Sequence, residues 1–478
     1  MSSAIVVGSG PNGLAAAVTL AREGVEVTVL EAAATIGGGA RTSELTLPGL
    51  LHDECSAVHP IAAISPFLRS LDLERHGLRW RWPEVDLAHP LDDGSAGVMV
   101  RSVERTAEGL GRDGSRWRRL FGRPAAGFGG LNEDLMRPVL HVPRHPLRLL
   151  RFGIPCATPA ALVGRTFATP QARALFGGVA AHSFSPLNLP MSSAVGVALI
   201  CACHHNGWPV AAGGSSAITG ALARALAALG GKIETGVNVS ALSQLPRADA
   251  VLFDLAPSAV ADIAGDRLPA RVRRAYRRYK HGPGAFKLDL AVEGGVPWAN
   301  EACRKAGTVH AVGGFEEIVL SEREVNRGRM PERPFVLVAQ QYLADPSRSD
   351  AERDLHPIWA YAHVPSGFTG DATSTVLDQI ERFAPGLRER IRATAVRTTQ
   401  EIETRNASYV GGDIINGANA PFQVVIRPRL SLDPYSCGAD GLYICSAATP
   451  PGAGVHGMNG FNAARSALRR LRGERPPT

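Results

Sequence analysis

A short apolar run, Ala4-Ile5-Val6-Val7, passes without a break into Gly8-Ser9-Gly10-Pro11-Asn12-Gly13. No other stretch restricts the possible folds so strongly. An apolar run of this length forms a buried parallel strand, and the glycines that follow have the G-x-G-x-x-G spacing. Gly8 permits a tight turn, Gly10 lets a pyrophosphate approach the backbone, and Gly13 allows a helix to pack closely on the strand. Phosphates would then sit on free N–H groups at a helix N-terminus, where the dipole favours anions. Leu14 to Arg22 is predicted to be that helix and Val25 to Leu30 the second strand. Glu31 ends the second strand, 18 positions after Gly13, where a carboxylate can accept both hydroxyls of an adenosine ribose. The acidic side chain argues against a 2′-phosphate, and hence against NADP.

With 478 residues, 45% of them hydrophobic and 20% charged, the chain is long enough for two well-packed domains of ordinary composition. The longest apolar candidate for a membrane span, Ala194 to Cys203, is too short to cross a bilayer. The N-terminus opens directly on a strand and shows no signal peptide. The seven cysteines form no C-x-x-C pair, which argues against dithiol chemistry and points to reduced thiols in the cytoplasm. A net charge of +7 resides in arginine clusters at Arg116–Arg123, Arg144–Arg151, Arg271–Lys280 and Arg465–Arg475. Solvated helix faces account for such clusters. Where apolar residues interleave, as in Pro146-Leu147-Arg148-Leu149-Leu150-Arg151-Phe152, peripheral contact with an anionic membrane is the alternative. No aromatic interleaving points to nucleic acid.

After Glu31, the run Gly37-Gly38-Gly39-Ala40-Arg41-Thr42 adds a second glycine cluster beside an arginine. Strand, G-x-G-x-x-G, Glu and double glycine together resemble the flavoprotein superfamily of amine oxidases and carotenoid desaturases. The pattern Gly37, Gly38, Thr42, Glu44, Leu45, Pro48, Gly49 is most similar to its phytoene-dehydrogenase-like branch. The resemblance implies FAD, with Gly38 and Gly39 beside its pyrophosphate and Arg41 neutralising the charge. Ala33 and Gly39 stand where many members carry arginines. The implied fold is α/β: a Rossmann-like FAD-binding domain of the glutathione-reductase/amine-oxidase type. An interleaved α+β substrate domain, built on an antiparallel sheet and helices, completes it. The expected division is 1–65, 205–265 and 416–478 for the FAD domain, and 66–204 and 266–415 for the substrate domain.

Between these motifs the signals are weaker. Phe67–Leu73 and Gln171–Val179 read as helices, and His182 precedes a small-residue segment where it could face substrate or serve structure. The adjacent His204 and His205 lack a third ligand at useful spacing, so no metal is expected. Ala217–Leu229 reads as a helix, and Lys232–Thr235 and Val237–Val239 as strands. By family position, Val239 meets the adenine through its backbone. Ser240–Asp249 is too short for the hairpin that relatives often insert. Arg271–Lys280 reads as a helix, and Gly284–Val292 alternates like a half-buried strand. There Lys287 resembles the amine-oxidase lysine that holds a water near flavin N5. Phe335–Gln340 and Ile358–Ala362 read as further strands, and Thr375–Phe383 as a helix. The glycine-rich turn Tyr409–Ile414 carries no assigned role.

The C-terminal segment supplies the second strong signal. The apolar strand Gly441–Cys445 feeds a small-residue loop, Ser446 to Gly460, and then a helix from Asn462 to Leu471. This looks like the carotenoid-desaturase flavin motif and implies cofactor contacts at Gly454, Val455 and Met458. There a helix N-terminus would stabilise negative charge on the ring. No second G-x-G-x-x-G follows an apolar strand, so oxygen or a quinone is the expected electron acceptor. The resemblance implies an FAD-dependent oxidoreductase that takes hydride from an apolar substrate, of the isoprenoid kind the family acts on, onto flavin N5. A redox-neutral isomerase and a non-catalytic isoprenoid escort are the alternatives.

Overall fold

The structure is a computed structural model that describes residues 2–138 and 141–474, so Arg475 at the end of the last basic cluster lies outside the described residues. Two sheets organise it. The first has five parallel strands in the order Leu442–Ile444, Ala250–Phe253, Ser3–Val7, Glu26–Glu31, Lys232–Thr235. Ser3–Val7 thus lies between a strand that follows it closely and one from far along the chain. The sheet opens at the carboxyl ends of these neighbours, where open α/β sheets bind ligands. Helix Pro11–Arg22 is rich in alanine, and its buried face packs against helices Ser216–Ala228 and Met458–Leu471.

The second sheet has seven strands: Ile391–Arg397, Gly284–Glu293, Leu355–Val364, Val336–Ala339, Ala306–Ala311, Val85–Pro90 and Ala96–Met99. It is antiparallel except where Ala306–Ala311 runs parallel to Val85–Pro90, a departure from the all-antiparallel expectation. Gly284–Glu293 also differs from the half-buried strand expected, because every residue but Glu293 is buried. One face packs under helix Thr373–Glu381, through Leu288, Val338, Val376 and Ile380. The other faces a helical layer that includes Pro170–Ala181 and Ala194–Asn206.

Several local expectations need correction. Val237–Val239 lies outside any strand: the ladder ends at Thr235, Gly236 turns at φ +75°, and Val237 N–H donates to the Glu31 carbonyl at 2.9 Å. The predicted helix Phe67–Leu73 shrinks to Pro66–Arg69, and the C-terminal helix starts earlier than predicted, at Met458. Ser240–Asp249 contains one short turn, Leu242–Gln244, and no hairpin. No described helix is long and apolar enough to cross a membrane.

Candidate functional site

A cavity of about 850 Å³ runs from the carboxyl ends of the parallel strands to the helical face of the second sheet. Its first lip is the glycine turn. Gly8 leaves the strand at φ +102°, a conformation that favours glycine. A β-carbon on Gly13 would stand 2.1 Å from the Gly8 carbonyl, so only glycine lets the helix start this close to the strand. Gly8, Gly10, Pro11 and Asn12 line the cavity, and Pro11 occupies the first helical turn, where its missing N–H costs nothing. The expectation of free N–H groups needs one correction. Gly13 N–H donates to Asp254 Oδ2 at 2.8 Å.

Asp254, which follows the strand Ala250–Phe253, also lines this lip. Burial raises its carboxyl to about 7, and the nearby Glu31 charge adds to the shift, while the Gly13 hydrogen bond opposes it. The residue has no counterpart in the glycine motif. Its signal in the sequence is positional, since it ends the apolar run Ala250–Phe253 as Gly8 ends Ala4–Val7.

Glu31 lines the cavity at the end of its strand. Its Oε2 accepts Ser9 N–H at 2.9 Å and Ser9 Oγ–H at 2.6 Å, and Oε1 accepts Ala33 N–H at 2.9 Å. Arg41 lines the same cavity, where its guanidinium pairs with Glu31 at 3.3 Å and donates to the Thr35 carbonyl at 2.8 Å. Gly38 and Gly39 line the same wall. A β-carbon on Gly38 would stand 3.0 Å from the Gly10 Cα, and one on Gly39 would stand 1.8 Å from the Tyr409 hydroxyl. The two glycine runs therefore pack on each other, and the turn after Asn406 returns to the cavity. Val239 lines it together with Val237 and Asn238.

At the C-terminal loop, Gly454 and Val455 line the cavity. Met458 does not: its side chain is buried in the core beside the first helix, and its N–H donates to His456 Nδ1 at 3.1 Å. The first N–H of that helix is therefore capped from within the loop.

The far wall stands on the second sheet, where Leu337 and Tyr361 line the cavity within a longer row set by register. His89, His310, Leu337, Tyr361, Lys287 and Arg397 fall in one transverse row, because the ladder pairs His310 with Leu337, Leu337 with Tyr361, and Tyr361 with Lys287. His182 lines the cavity and its Nε2 lies 2.9 Å from His310 Nε2. Burial pushes His182 down to about 3 and His89 down to about 4, so both rings are neutral at neutral pH. Lys287 does not line the main cavity. It faces a small adjoining chamber whose walls include Cys55, Trp359, Tyr361 and Tyr409, all of which also line the main cavity. Its ammonium pairs with Asp289 and lies 5.6 Å above the Trp359 ring. His52 Nδ1 approaches the other Asp289 oxygen at 3.4 Å.

His204 Nε2 accepts Trp117 Nε1–H at 2.9 Å, and among the described residues no three His, Cys, Asp or Glu side chains form a metal-binding group. All seven cysteines are free.

The fold and the lip define a Rossmann-like dinucleotide-binding α/β protein joined to a mixed-sheet domain. A family model described as an NAD(P)-binding Rossmann-like domain matches residues 6–70. Among curated proteins, the chain is 24% identical to rat "pyridine nucleotide-disulfide oxidoreductase domain-containing protein 2", covering 98% of this chain and 94% of that one. Among solved structures, an oxidoreductase from Methanosarcina mazei matches with a TM-score of 0.65 at 15% identity, over 98% of this chain and 100% of the other. A putrescine oxidase redesigned in its cofactor binding matches with a TM-score of 0.61 at 18% identity, over 99% of both chains. The chain thus shares its overall fold with these two solved structures, an oxidoreductase and a putrescine oxidase.

Proposed function

We propose that this chain is an FAD-dependent oxidoreductase, of phytoene-dehydrogenase-like type, that dehydrogenates a substrate with an apolar body. The observation that carries this reading is the continuity of one cavity. It begins at a cradle of Gly8, Gly10 and Asn12 with Glu31 at its side, passes the Gly452–Val455 loop, and ends against Leu337, Trp359 and Tyr361. The residues present fit FAD: a turn a β-carbon would fill, an acidic group for ribose hydroxyls, and a glycine-bearing loop from the far end of the chain. When bound, the flavin supplies the two-electron acceptor that no protein side chain here provides. The protein's own part is alignment and exclusion of water by the far wall, with Lys287 and Asp289 holding a buried charge pair close to the reacting end.

Oxygen or a quinone is the proposed acceptor, and dithiol chemistry is not proposed, since the sequence has no C-x-x-C pair. Peripheral membrane contact is supported by the helix Pro146–Ala157, where Leu147, Leu150 and Ile154 are exposed beside Arg148 and Arg151. The test is FAD uptake by purified protein followed by anaerobic bleaching with isoprenoids, amines and fatty acyl compounds. Bound flavin bleached by an apolar compound supports the reading. Failure to take up FAD overturns it, and activity only in reduced protein with an isomeric product replaces it with an isomerase.

A further inference from the structure

Three arginines line the cavity: Arg41, Arg405 and Arg427. Two of them have carboxylates, Arg41 with Glu31 at 3.3 Å and Arg405 with Glu54 at 3.8 Å. The other deeply buried arginines are paired as well, Arg348 with Asp53 at 2.6 Å and Arg397 with Glu54 at 3.2 Å. Arg427 is the exception. It is 4% exposed, its Nε is buried without a partner, and among the described residues no carboxylate lies within ion-pair distance of it.

The guanidinium is nevertheless fixed in place. Its Nη2 donates to Asn419 Oδ1 at 2.8 Å, and Asn419 Nδ2 donates in turn to the Ser183 carbonyl at 3.0 Å, next to His182. Its Nη1 lies 2.9 Å from where a β-carbon on Gly452 would stand, so a side chain there would crowd it. Asp413, the buried acid of the neighbouring turn, is already engaged by the N–H groups of Gly282 and Gly417 at 2.8 and 2.7 Å. A buried cation without a counter-charge is unfavourable unless a ligand brings one. A fixed guanidinium fork matches the planar pair of oxygens of a carboxylate, as it does those of a phosphate, through two parallel hydrogen bonds.

We infer that Arg427 anchors a carboxylate on the substrate, so that the molecule taken by this cavity is an apolar carboxylic acid. The assignment rests on the reading of the cavity as the substrate site of a flavin oxidoreductase. Val424, Met191, Val195, Leu199 and Ile415 line the same cavity and suit an apolar body. The cofactor's own anionic group, the diphosphate, has its place at the glycine turn. An amine cation, the substrate type of an amine oxidase, would be repelled by an unpaired guanidinium.

The probes are hexanoate and its uncharged analogue hexanamide, titrated calorimetrically into the full chain as purified, with FAD content measured separately by absorbance. Hexanoate is expected to bind at least about tenfold more tightly than hexanamide. Arg427→Met should abolish that preference without lowering the melting temperature of the ligand-free protein, because it removes an unpaired charge, and Arg427→Lys should retain part of the preference. Equal binding of the two probes to the wild type overturns the inference. So does an undiminished preference in Arg427→Met, or a lowered melting temperature with the preference intact, which makes the arginine structural. Arginine-dependent hexanoate binding in a protein that takes up no FAD leaves the anion site standing and removes only the redox reading.

Discussion

The α-carbon of Gly460 lies so close to the backbone of Asn12 that a β-carbon on it would stand 1.8 Å from the Asn12 carbonyl oxygen and 2.8 Å from the Ala16 nitrogen. This contact seats the last helix on the first and so brings the C-terminal loop to the glycine turn. Both obstructing atoms are backbone and cannot rotate away. Gly460→Ala is therefore expected to cost about 3 kcal/mol, the upper range for overpacking, and to lower FAD occupancy as the lips separate. Urea denaturation and flavin absorbance check it, and wild-type values for both would show that the helices can slide without loss.

Glu31 is held by three hydrogen bonds from Ser9 and Ala33. Replacement by alanine would leave the Ser9 N–H unsatisfied and confuse folding with binding. Glu31→Gln keeps an acceptor in place but removes the charge that ribose hydroxyls would meet and the partner of Arg41. FAD affinity should fall about tenfold, charged acceptors being roughly twice as strong as neutral ones, and stability should fall by about 1–3 kcal/mol because the amide NH2 must face the Ser9 or the Ala33 N–H. Fluorescence titration of FAD measures this, and equal affinity would remove Glu31 from the ribose.

Lys287 and Asp289 form a buried pair, and burial pulls the ammonium below its ordinary value against the hold of Asp289. Lys287→Met should cost about 3–5 kcal/mol, since Asp289 is left with His52 alone. If the ammonium also assists electron transfer to the acceptor, reoxidation of reduced, loaded protein should slow by at least about tenfold, with FAD affinity unchanged. Stopped-flow reoxidation separates the two effects, and an unchanged rate confines Lys287 to structure.

What the sequence made legible was local. The turn Gly8–Gly13, its strands and Glu31 lie within one βαβ unit, so spacing alone ordered them. Val237–Val239 is no strand because Gly236 turns the chain at φ +75° and Val237 bonds to the Glu31 carbonyl, a long-range contact with no periodic signature. Gly284–Val292 alternates polar with apolar residues as an exposed strand does, yet Lys287 and Asp289 satisfy each other beneath a second layer. The row from His89 to Arg397 depends on register across strands far apart in sequence. Asp254 and Arg427 join the site from segments that carry no motif. The capping of Met458 N–H by His456 likewise carries no mark in the sequence, where a capped and a cofactor-facing N–H look alike.

Acid should unfold this protein before most carboxylates titrate. Burial pushes His59, His89 and His456 down to about 4 and His182 to about 3, and holds His310 well below its ordinary value. Unfolded histidines titrate near about 6.5, so between that pH and about 4 the unfolded chain binds more protons and stability falls as pH drops. Asp254 and Asp86 are raised by burial and act in the opposite sense. With His204 also lowered by burial, the depressed histidines outnumber the two raised carboxyls, and each uncompensated proton costs about 1.4 kcal/mol per pH unit. Urea midpoints at pH 7, 6 and 5 should fall steeply, and a flat series would show that these rings are hydrated.

The most specific pH effect concerns the cofactor lip itself. Asp254 accepts the Gly13 N–H, an anion donor of the helix N-terminus, and titrates at about 7 in the ligand-free protein. A diphosphate close by would raise that value further by like-charge repulsion. Below about 6 the carboxyl is protonated with or without ligand, and affinity is independent of this group. Above about 7 it is ionised in the free protein, binding must take up a proton, and FAD affinity should fall by up to about tenfold per pH unit. Asp254→Asn keeps an acceptor for Gly13 and removes the titration. The variant should bind FAD with a flat profile and exceed the wild type at pH 8, as fluorescence titrations from pH 6 to 9 would show. A wild-type affinity that does not change over that range would mean that the diphosphate lies away from Asp254. The glycine turn would then hold the cofactor through Asn12 and Gly10 alone.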